Sequence, residues 1–351
     1  MVLGNCGNYK SFGDSKFIPR LPPQQIEAIA SISKNAQTHL AKAGGAQALY
    51  ETSSTGLMHL GYPEDGHLST YYPDSPHIKT REIAYVSDLL KDAGLLPENT
   101  RLRKTQSGDI ECLIASAESN PSESDRDIKQ TSWDLSGPFQ DKKLTLVFGD
   151  YQREMKVIAD NLEQARQNAL NSHEEAMQAA YVKSFRTGSN NDFLESQRQW
   201  IRDKGPMVET NIGFIETYRD PHGVRGEWEG FAAMVNKERT KAFGKLVESA
   251  PEQIPKLPWG KDFEKDKFLS PDFTSLEVLT FAGSGIPAGI STYDRQHTPV
   301  SLDHRVNRHD YLQTMLMVYV LFVSILTAVQ IFLTTMSSAK VKDSKTLVWA
   351  M

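Results

Sequence analysis

An α+β architecture follows from three features of the sequence. Residues 150–204 carry helical periodicity without an interposed strand. The strand-like runs Asn211–Tyr218, Trp228–Val235 and Leu276–Phe281 are gathered in the later part of the chain. They do not alternate regularly with helices, as a parallel α/β sheet would require. The 351 residues are 39% hydrophobic and 24% charged, ordinary for one large or two average domains. A net charge of −5 gives no electrostatic basis for nucleic-acid binding. Cys6 and Cys112 are too few for a disulfide framework and suit a reducing compartment. The start, MVLGNCGNYKSFGD, shows no signal-peptide pattern, and Gly4 is misplaced for myristoylation, so a cytoplasmic location is expected.

Residues 1–20 are interrupted by Gly4, Gly7, Gly13 and Pro19 and read as irregular. Leu21-Pro22-Pro23 introduces a helix from Gln24, with Ile26, Ile29, Ala30 and Ile32 on a loose apolar face and a stop at Gly44-Gly45. A short strand is expected at His67–Tyr72. An amphipathic helix is expected at Thr80–Ala93, closed by Gly94. Arg101–Thr105 and Ile110–Ser116 flank Gln106-Ser107-Gly108-Asp109 and predict a hairpin. Residues 117–139 are polar and acidic and read as a surface insertion.

Leu144, Leu146 and Phe148 alternate as a strand face, after which Asp150 is the expected N-cap of a helix. Met155, Ile158, Leu162, Ala165 and Ala169 form that helix's stripe. Ser172 with Glu175 fits a capping box opening the next helix, which ends near Gly188. A third helix is expected at Asp192–Lys204 and a fourth at Asn236–Ser249.

Several catalytic signatures are missing. His173-Glu174-Glu175 begins like the zinc motif HExxH, but position 177 is Met, so the second imidazole one turn on is lacking. His297, His304 and His309 are too loosely spaced to define a metal site. No GxSxG, GxxxxGK[ST] or GxGxxG occurs.

The block Lys204–Phe231 (KGPMVETNIGFIETYRDPHGVRGEWEGF) concentrates Glu, Arg, Tyr and Trp beside turn residues. By the period of two, Glu216 and Tyr218 share one strand face; Arg219-Asp220-Pro221 then turns the chain, and Glu227 and Glu229 share a face of the next strand. Two readings stay open on residues alone. One is a set of ion pairs around a hairpin, with Arg219 and Arg225 against the glutamates. The other is a recognition wall for a cationic, peptide-like ligand.

GNYKSFGD (7–14), KGPMVE (204–209), FIETYRDPHGVRGEWEGF (214–231), FEKDKFLSPDFTSLEVLTFAGSGIPAGI (263–290) and the helical stretch between them, all in one order, resemble the dipeptidyl peptidase III family. The resemblance runs from about residue 7 to 290 and is strongest over 204–290. It implies a zinc metallopeptidase that removes dipeptides from oligopeptide N-termini. It also implies a two-lobed fold, with this chain matching mainly the lower lobe, a β-barrel-like core surrounded by helices. By resemblance Glu216 would hold the peptide ammonium, and Tyr218 would donate to the scissile carbonyl or its oxyanion. Phe12 would lie near the first substrate residues, with core packing the equal alternative. Gly285, Pro287, Ala288 and Gly289 would form the edge along which the peptide adds as a strand.

The sequence departs from the family pattern in ways that matter for the chemistry. Neither HExxGH nor the downstream EExxAE-type glutamate motif occurs, so no zinc ligands are found, and Ser291 stands where the family has an asparagine. The resulting expectation is a partial domain over 1–290, shorter than the family at both ends, followed by an unrelated linker at 291–314. Met315–Met336 is uncharged and long enough to cross a bilayer as a helix, and 337–351 is a tail. The apolar run reads equally as a membrane anchor or as sequence with no selected structure. Three functional readings follow. The first is a truncated dipeptidyl peptidase III-like protein, inactive alone. The second is a non-catalytic binder of oligopeptides with a free N-terminus, either untethered or tethered to a membrane. The third is a fragment without function.

Overall fold

The computed structural model describes residues 15–42, 44–52, 59–217, 219–256 and 274–282. Phe12, Tyr218, the 285–290 edge and the apolar run 315–336 lie outside the described residues. Among the described residues, no helix is long and apolar enough to cross a membrane. The chain divides into two compact units. One comprises Met1–Val235 with Leu276–Thr292, and the other Asn236–Ser275 with Tyr293–Met351.

In the first unit, helix α1 (Pro23–Ser31) and helix α2 (Lys34–Lys42) replace the single helix expected from Gln24 onward. The break falls at Ile32-Ser33, where the Ser33 hydroxyl accepts from the Ala36 amide and opens the second helix. His67–Tyr72 is not a strand. It makes one isolated bridge, Leu68 with Leu60, and then turns, and the Tyr71 carbonyl accepts from the Leu102 amide at 2.9 Å. Helix α3 (Thr80–Asp92) follows as expected, its Glu82 carboxylate accepting from the Lys79 amide at 2.8 Å, and Gly94 takes a positive φ of 83°.

Strands β1 (Thr100–Lys104) and β2 (Ile110–Ala115) form the expected hairpin, in register from Thr100↔Ile114 to Lys104↔Ile110. The 117–139 stretch is mostly exposed, yet it is built into the fold. It supplies β3 (Ser132–Asp134), buries Pro121 and Leu135, and lays Asp127 against the Ser189 hydroxyl at 2.6 Å and the Asn190 amide at 2.7 Å. Strand β4 (Lys143–Asp150) pairs parallel with β2 and antiparallel with β3, giving the sheet order β1-β2-β4-β3. The first core lies under this sheet. Ile83, Val86 and Leu90 of α3 pack with Leu102, Ile110, Cys112, Ile114, Leu144 and Leu146, all buried.

Asp150 does not cap the following helix. Its carboxylate is bidentate on Arg101 (2.7 and 2.5 Å), and Tyr151, at φ 52°, makes the turn into α4 (Gln152–Arg166). The buried stripe of α4 is Met155, Ala159 and Leu162, and Ala169 lies beyond its end. Helix α5 (Ser172–Thr187) is capped by Asn171 and closed by Gly188 at φ 82°. Helix α6 (Asn190–Arg202) is capped by Ser189. The three helices form one layer whose core includes Met155, Met177, Tyr181 and Phe185.

A second sheet, β5 (Val208–Glu216), β6 (Glu227–Val235) and β7 (Leu276–Ala282), is antiparallel throughout in the order β5-β6-β7. Phe193, Ile212, Phe214 and Trp228 pack against the helical core. The architecture is α+β. Its described strands form two open sheets, of four and three strands, rather than a closed barrel. In the second unit, Asn236 caps α7 (Lys237–Gln253) through the Arg239 amide.

Candidate functional site

The candidate site grows from the β5–β6 hairpin. Alternating β-branched and aromatic residues (Val208, Thr210, Ile212, Phe214) favour the strand, and Gly213 lets it lie close to α6. A Cβ at Gly213 would stand 2.4 Å from Phe193 Cε2. Phe214 and Trp228 are paired across the strands with their rings edge to face at 5.1 Å, and Trp228 meets Phe185 at 5.4 Å. This aromatic stack fixes the end of β5 on the helical layer.

The register then shifts. A bulge between Phe214 and Glu216 sets Glu216 opposite Glu227. The chain therefore places two carboxylates across from one another at the mouth of the hairpin, an arrangement that needs a cation nearby. Arg219 is that cation: its Nε lies 3.4 Å from Glu227 Oε2, with both side chains largely buried. Of the two arginines expected against glutamates, only Arg219 makes that pairing. Arg225 has Asp220 as its partner instead, with Nη1 3.5 Å from Oδ2 and both side chains fully out of solvent.

Asp220 organises the loop. It accepts from the amides of His222 (3.1 Å), Val224 (3.1 Å) and Arg225 (3.0 Å), and from the Tyr72 hydroxyl at 2.7 Å. Burial pushes the Tyr72 hydroxyl far above its ordinary range. Arg225 opposes that shift and Asp220 adds to it, so Tyr72 remains a donor at working pH. Burial also raises the Tyr62 hydroxyl, with Asp220 contributing. The sequence marked Arg219-Asp220-Pro221 as a turn but offered no signal for Tyr72, which lies 148 residues from Asp220.

Of the site residues expected by resemblance, Glu216 is the one among the described residues, half-buried at the end of β5. The described residues do not fit a zinc ion. They contain no group of three or more His, Cys, Asp or Glu positioned to hold a metal. His173 Nδ1 is engaged by Gln199 Oε1 at 3.0 Å. Cys112 is wholly buried, and its thiol is pushed up to about 11, first by that burial.

A family model described as peptidase family M49 matches residues 43–298. Dipeptidyl peptidase 3 of Dictyostelium discoideum is 45% identical over 294 residues, 83% of this chain and 40% of that protein. The protein of the same name from Homo sapiens is 43% identical over 304 residues, again 83% of this chain and 40% of the relative. The chain thus spans about two-fifths of the length of these curated relatives. Among solved structures, DPP III from Caldithrix abyssi aligns with a TM-score of 0.46 at 17% identity, covering 74% of this chain and 44% of that one.

Proposed function

The chain belongs to peptidase family M49, and from that premise we propose that it carries the peptide-holding wall of a dipeptidyl peptidase III-type protein. In this reading the Glu216 carboxylate accepts hydrogen bonds from the free ammonium of an oligopeptide. A fixed carboxylate at a set distance from the cleavage point measures off two residues. Tyr218 donates to the carbonyl of the second residue or to the oxyanion formed from it. Gly285, Pro287, Ala288 and Gly289 offer backbone groups to an added strand, and Phe12 borders the first side chains. The observation that carries the reading is the hairpin itself. The stretch 214–231 folds so that a bulge presents Glu216 opposite Glu227 while Arg219 sits on Glu227.

Because the described residues assemble no zinc donors, no hydrolytic step is assigned to them. The chain alone is read as binding peptide termini without cleaving them. A second reading, the same binder tethered to a membrane rather than cytoplasmic, draws on the uncharged run Met315–Met336.

Calorimetry with a short free-amine peptide is expected to show binding that Glu216→Gln weakens by about ten-fold or more, the usual worth of a charge-assisted hydrogen bond. An unchanged affinity removes the anchor. In parallel, a dipeptidyl-arylamide assay with added zinc is expected to stay at background. Turnover at enzyme-like rates would overturn the non-catalytic assignment.

A further inference from the structure

The loop from Glu216 to Glu227 is fastened to the body of the first unit at several points outside its own strands. The Asp220 carboxylate, 3% exposed, gathers three amides of the loop and receives the Tyr72 hydroxyl. Arg225, 0% exposed, lies over the Tyr72 ring at 5.7 Å and donates from Nη2 to the Ser87 hydroxyl of α3 at 3.4 Å. The Gly226 amide donates to the Glu98 carbonyl at 2.7 Å. A side chain at Gly226 is not accommodated, because its Cβ would stand 2.7 Å from the Phe214 carbonyl carbon.

A fully buried ion pair is a poor source of stability. This one is poorer than most, since Arg225 Nε and Nη1 meet no hydrogen-bond acceptor among the described residues. Such a pair can still select one arrangement, because moving one partner away while the other stays packed leaves a charge buried alone. The path selected here is the one that joins the two opposed carboxylates of the hairpin mouth. It also carries Arg219, the immediate neighbour of Asp220, onto Glu227.

We propose that Tyr72, Asp220 and Arg225 form a buried clamp of positioning residues that holds Glu216 in the geometry that receives a peptide ammonium. The clamp acts through the loop and touches no ligand. It rests on the reading of Glu216 as the peptide anchor.

The test uses the full chain and two probes, one short peptide with a free amine and the same peptide N-acetylated. The quantity read is the ratio of the two Kd values, acetylated over free. Wild type is expected to give a ratio of about ten or more, and Glu216→Gln to bring it near one. Tyr72→Phe removes one hydroxyl but keeps the ring beside Arg225, and is expected to lower the ratio about two- to ten-fold. Added to Glu216→Gln, it should change the ratio no further. Ser87→Ala, which takes the acceptor from Arg225 Nη2 without touching Asp220, serves as a second and milder variant with the same direction. A hydroxyl that is merely structural would weaken both peptides alike. A ratio unchanged in Tyr72→Phe and in Ser87→Ala, beside one that falls in Glu216→Gln, overturns the clamp alone. A ratio that Glu216→Gln leaves unchanged overturns the anchor, and the clamp with it.

Discussion

Cys112 shows how much a single buried side chain can report. It sits on β2 beneath α3 with no exposed surface, and burial raises its thiol to about 11 from an ordinary 9.0. The folded state therefore favours the protonated form. On raising the pH the unfolded chain loses this proton first, so the contribution is complete below pH 9 and is lost between 9 and about 11. Urea unfolding at pH 8, 9 and 10 is expected to show a falling stability that is flatter in Cys112→Ala, whatever that variant's own starting value. Equal slopes would deny the thiol this role. The Tyr72 hydroxyl is shifted the same way but from a higher ordinary value, so its effect enters at higher pH than that of the cysteine. Glu216 could be proposed as a peptide anchor from the sequence because a long motif surrounds it. Asp220 was legible only as a turn former, since its partners Tyr72 and Arg225 meet it through the fold.

Apart from the break between α1 and α2, helix boundaries were read from sequence to within a few residues, while the capping groups were not always the expected ones. For α5 the capping box pointed to Ser172, but the working cap is Asn171, whose Oδ1 accepts from the His173 and Glu174 amides at 2.9 Å each. Asn171→Ala is expected to cost about 1 kcal/mol, seen as a lower thermal midpoint by circular dichroism, with Ser172→Ala close to neutral. The reverse ranking would restore the capping-box reading. For α4 the expected cap, Asp150, is drawn away by Arg101, 49 residues distant, and a bidentate charge-assisted pair prevails over a local cap. Strand phase shows the same limit. Alternation by two was correct up to Phe214, and the bulge then changed which residue faces Glu227. A bulge adds one residue without changing composition, so hydrophobic pattern alone cannot show it.

At the scale of the molecule, the first unit is discontinuous. Strand β7 returns after α7 to pair with β6 along Gly230↔Ala282 to Val235↔Leu276. A chain ended at residue 256 would leave β6 as an edge and uncover one side of the strand that buries Phe231 and Ala233. Limited proteolysis of that shortened chain is expected to cut within 208–235 before it cuts within 100–150, with a lowered thermal midpoint. Protection equal to that of the full chain would mean that β7 does not secure β6. Composition placed 117–139 on the surface, where most of it lies. The contacts of Asp127, Leu135 and β3 show that this acidic stretch is also a structural tie between the first sheet and α6.

Local pattern and ordered motifs were enough for the sequence by itself to determine the α+β class, nearly every described helix and strand, and membership of the peptidase family; they also supplied the proposal of Glu216. Each of these depends on residues that are near in the chain or on matches that keep their order. Tertiary structure alone decided that Glu216 stands across from Glu227, that Arg225 belongs to Asp220 rather than to a glutamate, and that Tyr72 closes the pair from 148 residues away. The physical reason is burial. A charge removed from water must take whichever partner the packed chain brings within reach, and that partner is set by where the layers meet, not by spacing along the sequence.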